Sequence, residues 1–156
     1  AHVLLLSRES ALSLKLHVLI SILAYAFISL ATAQALLHKY QETQFKNRVR
    51  PTLMAALPPL ETMEKLLFHL LAIGVFLLTL TLVSGAFFSR DLFGVPFEFN
   101  HHTVLALAGW AVMSITLAAR LSAKLNGSEA TKWILLGFVL IQLGYFGTKI
   151  ISDLLN

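Results

Sequence analysis

The histidines carry what chemistry this chain can do. Of its six, His17 stands at the head of a long apolar run, while His101 and His102 close the aromatic stretch SGAFFSRDLFGVPFEFNHHT, from Ser84 to Thr103, just before another such run. Neutral imidazole ligates iron, zinc or copper, and two imidazoles approaching from opposite sides can hold a flat haem through its two axial positions. Phe87, Phe88, Phe93, Phe97 and Phe99 place apolar rings in the same stretch, a shelf on which a planar group can stack. With no cysteine in the chain, disulfides, thiolate metal sites and a cysteine nucleophile are excluded.

The elements that position these residues are membrane helices. The chain is 57% hydrophobic and 13% charged, whereas a soluble domain carries about 25% charge, so its surface suits lipid and not water. Four apolar runs, at about 16–37, 66–88, 103–121 and 133–152, read as spans of a hydrocarbon layer of roughly 30 Å at 1.5 Å per residue, the third a little short unless it borrows from its flanks. The expected fold is all-α: a polytopic transmembrane helix bundle with four spans, forming a single membrane domain over residues 1–156.

Within the first run, Ser21, Ala24, Ala31 and Ala35 share a helical face with His17. Small side chains on one stripe suit close helix contact, so His17 is expected to point into the bundle. Gly137 and Gly144 mark a similar close-approach face on the last run. Residues 38–65 form the longest polar stretch, and Pro51, Pro58 and Pro59 forbid one continuous helix through it. His69 reads as a packing or interfacial residue, Trp110 as a core anchor and Trp133 as an interfacial one. The first fifteen residues lack the positive opening and small-residue cleavage site of a signal peptide. They read as the end of a connection entered in mid-chain, in keeping with the absence of an initiating Met.

Charge sets the expected orientation. The net charge of +4 comes from basic residues clustered between apolar runs, which marks membrane topology and not nucleic-acid binding. Loops 38–65 and 122–132, together with the helix ends beside them, carry eight of the twelve Lys and Arg residues, so these loops are expected on the cytoplasmic side. Loop 89–102 and the amino end then face outward, which implies an odd number of spans before residue 1. His17, His101 and His102 fall on that outward face, whereas His38 and His69 fall on the other.

The runs LPPLETMEKLLFHLLAIGVFLLTLTLVSGAFFSRDLFG and FNHHTVLALAGWAVMSITLAARLSAKLNGSEATKWILLGF, with the closing YFGTKI, resemble the carboxyl-terminal part of the cytochrome c assembly protein family, in its smaller inner-membrane branch. The resemblance covers about Leu16 to Ile150 and implies a bacterial inner-membrane protein that binds or handles haem at its outward face during cytochrome c maturation. It further implies haem as cofactor and an apocytochrome c or another assembly subunit as partner. In haem-handling members a tryptophan-rich outward loop ends in Trp-Asp. Here the matching segment, Gly94 to Thr103, has Phe97 and Phe99 for the tryptophans and Asn100 for the aspartate. By the same resemblance His17 matches the outward histidine that opens a span. The family's second histidine follows the last span, and His101 or His102 is expected to take its place, with His17 and His102 as the pair on haem iron.

No Ser/His/Asp grouping, phosphate-cradling glycine loop, HExxH helix or intramembrane carboxylate pair is present, so no enzymatic step is expected. Glu98, His101 and His102 imitate a metal site, but three donors within five residues of one loop need supporting hydrogen bonds the sequence does not reveal. The other reading left open is a non-haem regulatory or scaffold protein that contacts further membrane proteins through its glycine-bearing helix faces.

Overall fold

The computed structural model describes residues 2–47, 59–93, 101–123 and 125–155. They form four helices: α1 (His2–Lys46), α2 (Leu60–Phe93), α3 (His101–Ala123) and α4 (Gly127–Leu155), with no strand among the described residues. Three of these contain stretches long and apolar enough to cross a membrane, Ala11–Lys46, Leu60–Phe87 and Thr103–Ser122, and α4 packs beside them. Large apolar side chains such as Ile22, Phe76 and Ile115 stay exposed on the outside of the bundle, as a lipid-facing surface requires.

The helices outrun the apolar stretches. Helix α1 continues through HKYQETQFK because that segment holds no Pro or Gly, and because Glu42 lies between His38 and Lys46 at i,i+4 spacing, 3.1 Å from the Lys46 ammonium. Helix α2 starts where Pro59 can no longer donate: its carbonyl accepts the Met63 amide at 3.1 Å, and Glu61 lies in the positive first turn. Asn126 caps α4 by accepting the Glu129 amide on its side-chain oxygen at 2.9 Å.

Helix α1 packs mainly on α2, α3 mainly on α4, and α1 also meets α4. The core is drawn from one stripe of each: Ile28, Ala31 and Ala35 of α1, Leu67 and Leu71 of α2, Met113 of α3, and Ala130 and Ile134 of α4. Glycines set how near the backbones come. A Cβ on Gly109 would lie 2.8 Å from the Gly137 carbonyl, so α3 and α4 cross where neither can carry a side chain.

Several hydroxyls inside the bundle are satisfied locally, as a medium without water favours. Thr32, Thr79, Thr81 and Thr116 each donate to the carbonyl four residues back. The Trp110 indole donates to Thr79 Oγ1 at 2.8 Å, joining α3 to α2. Near the start of α2, Arg120 pairs with Glu64 at 3.1 Å, stacks over the Phe68 ring at 4.7 Å and donates to the Leu125 carbonyl at 2.9 Å. One guanidinium thereby ties α3, the α3–α4 turn and α2 together.

Candidate functional site: an apolar cleft headed by His17

Three turns of α1, from His17 to Ile28, form one wall of a cleft of about 860 Å³, closed by Leu78 and Thr81 of α2, Ala106 of α3 and Ile141 of α4. Its lining is predominantly apolar, and its volume lies within the roughly 300–1,000 Å³ usual for small-molecule sites. Ile22 and Phe146 line the cleft while remaining exposed, so it opens on the lateral surface of the bundle between α1 and α4.

The stripe expected on α1 is the one observed. Ser21 and Ala24 line the cleft beside His17, and Ala24, Ala31 and Ala35 are buried. His17 itself is half-buried, with Nδ1 2.5 Å from Ser84 Oγ on α2. A Cβ added to Gly85 would lie 3.5 Å from the ring's Cε1, ordinary contact distance, so the imidazole packs on the α2 backbone.

The hydroxyls nearby are already committed. Ser21 donates to the His17 carbonyl at 2.7 Å, Thr81 to the Leu77 carbonyl at 2.9 Å, and Ser84 to the Thr81 carbonyl at 3.1 Å. The cleft therefore offers apolar walls, one imidazole anchored through Nδ1, and hydroxyl protons turned back into the helices. Such a set suits a largely apolar ligand with one coordinating centre.

The other residues singled out in the sequence are placed as follows. His101 and His102 open α3, about one turn before Ala106 on the cleft wall, and their side chains lie outside the described residues. Phe97, Phe99, Asn100 and Glu98 also lie outside them. Among the described residues no three His, Asp or Glu side chains gather to hold a metal ion. His69 is exposed on α2, and Trp133 is exposed near the start of α4.

Two features escaped sequence reasoning. Ser84 was visible only as one small residue of an aromatic stretch, because its partner lies 67 positions away. His38 is only 5% exposed and packs on the first residue of α4, where a Cβ on Gly127 would overlap its ring. The i,i+4 spacing of His38 and Glu42, 3.8 Å apart, was its one local signal.

Fold and cleft together define a polytopic helical membrane protein with a laterally opening, histidine-headed apolar cleft. The chain belongs to the Cytochrome C assembly protein family, which it matches over residues 5–156, and it is a multi-pass inner-membrane protein. It is 30% identical over 148 residues to the inner membrane protein YpjD of Escherichia coli K12, an alignment covering 95% of this chain and 55% of that protein. It is similar also to the cytochrome c biogenesis protein CcsA of Guillardia theta, at 26% identity over 85% of this chain and 45% of the relative. To the protein HemX of Brevibacillus brevis it is 24% identical, over 84% and 48%. The chain thus spans about half the length of the curated relatives it matches. No solved structure matches it.

Proposed function

We propose that this protein binds and hands on haem at its outward face during cytochrome c maturation, with the His17 cleft as the place of binding. The observation that carries the reading is an imidazole anchored at one end of an apolar cleft of about 860 Å³, in a chain whose relatives include proteins named for cytochrome c biogenesis. His17 would supply one ligand to haem iron, and the walls formed by Ala24, Ile28, Leu78 and Ile141 would shield the group from water. Bound haem would supply a redox-active iron. His101 or His102, opening the helix that carries Ala106 into the same cleft, would be the candidate for a second ligand. The recipient would be an apocytochrome c or another assembly subunit, and no covalent step falls to this chain.

The glycine faces on which a scaffold role would rest are taken up inside the bundle. Gly109 and Gly137 face each other, and Gly74 lies against Ile28. That packing favours the haem reading.

The test is a titration of the purified detergent-solubilised protein with ferric haem. A saturable one-to-one complex with the Soret and α-band pattern of imidazole ligation is expected; unsaturable uptake with the spectrum of free haem in detergent overturns the proposal.

A further inference from the structure

We infer that Gln142 is a ligand-binding residue of the cleft, and that its carboxamide selects a molecule with an apolar body and a carboxyl group. Of the polar side chains on the cleft walls, Ser21 and Thr81 donate to carbonyls of their own helices, and His17 and Tyr25 have partners of their own. Gln142, half-buried on α4, has no hydrogen bond or ion pair among the described residues. Its depth makes that costly. Helix α4 runs antiparallel to α1, since Thr131 stands beside the Ala35 carbonyl and Gly127 beside His38. From Thr131 to Gln142 the helix climbs about 16 Å at 1.5 Å per residue, which brings Gln142 level with Ala24 on the opposite wall. Ala24 lies well inside the apolar span Ala11–Lys46. An amide without a partner is expensive in hydrocarbon, and a polar side chain held there marks a binding function by default.

The carboxamide also says what would satisfy it. It holds an N–H donor and a carbonyl acceptor side by side. An un-ionised carboxyl group holds the complementary pair, so the two join through two hydrogen bonds: the amide N–H donates to the acid carbonyl, and the acid O–H donates to the amide oxygen. A ketone or an alcohol meets half of this demand, and a plain hydrocarbon chain meets none. An ionised carboxylate would bring a charge into the apolar medium, and burial favours the neutral acid. A membrane-dissolved acid reaches the cleft through its lateral opening beside Ile22 and Phe146. Porphyrins and fatty acids share this chemistry. Which of them is bound rests on the haem reading; the contact with Gln142 does not.

The experiment uses iron-free protoporphyrin, followed by its fluorescence on the purified detergent-solubilised protein, so that iron coordination by His17 plays no part. Saturable binding is expected, weakened about 3- to 20-fold in Gln142→Leu, the span of measured side-chain hydrogen bonds between membrane helices expressed as affinity. Protoporphyrin dimethyl ester, which lacks the acid O–H, should bind wild-type protein more weakly than the acid does, and Gln142→Leu should weaken it no further. A merely structural role would weaken acid and ester alike. Helical circular dichroism and the unfolding midpoint of Gln142→Leu should stay at wild-type values. Equal affinity of wild type and Gln142→Leu for the acid, or equal losses for acid and ester, overturns the inference. So does wild-type protein that binds neither protoporphyrin nor palmitic acid. Saturable haem binding that Gln142→Leu leaves unchanged would keep the haem reading and discard the role of Gln142. Palmitic acid bound in a Gln142-dependent way by protein that takes up no porphyrin would keep the role of Gln142 and overturn the haem reading.

Discussion

His17 and His38 sit on the same helix, about 31 Å apart at 1.5 Å per residue, and the bundle treats them in opposite ways. His17 meets a hydroxyl and open volume: Ser84 holds one nitrogen, and the ring borders a cleft. His38 meets a glycine and a carboxylate. Its ring is pressed on Gly127, Glu42 stands 3.8 Å from Nε2, and Nδ1 has no hydrogen-bond partner among the described residues. Gln41 is buried beside it on α1, and Thr131 of α4, which donates to the Gly127 carbonyl at 2.7 Å, stands 3.3 Å from the Ala35 carbonyl. In a bilayer an imidazole's task is therefore set by what the facing helix supplies. A hydroxyl with space leaves the imidazole at the edge of a cleft, and a glycine with no space makes a packing joint.

The sharpest way to break this contrast is to crowd the joint. Gly127→Val should drive a side chain into the His38 ring and destabilise the bundle by about 1–3 kcal/mol, the usual cost of overpacking. His38→Ala in the same chain should recover part of that loss, because the clash needs both side chains. Unfolding in mixed micelles measures both. An unaltered Gly127→Val midpoint would show that α4 does not dock on His38.

A smaller effect belongs to the polar tie that joins the two halves of the molecule. Trp110→Phe removes the hydrogen bond to Thr79 while keeping most of the apolar ring, and should cost about 0.6 kcal/mol, the average for side-chain hydrogen bonds between membrane helices. Thr79→Val in that background should cost little more, and fully additive losses would mean that the two residues act separately.

Much of the helical architecture was legible in the sequence, and the reason is the solvent. Apolar runs of twenty residues have no other stable form in lipid, and the stripe of His17, Ser21, Ala24, Ala31 and Ala35 followed from helical spacing alone. What stayed hidden depends on distant neighbours. Nothing local in HKYQETQFK says that His38 is sealed, because the seal is Gly127, which follows three helices later in the chain and is adjacent only in space. Ser84 has no motif about it, and its role emerges only when α2 is laid against α1. The persistence of α1 through that polar segment was readable from its lack of Pro and Gly, yet polarity argued for a loop and masked it.

The account turns on His17 as the residue that holds the ligand, and the haem absorption spectra of His17→Ala and His38→Ala, taken side by side on folded protein, test it most directly. Loss of the imidazole-ligated Soret and α bands in His17→Ala, with both retained in His38→Ala, is the expected result. Full retention of both bands in His17→Ala would contradict it.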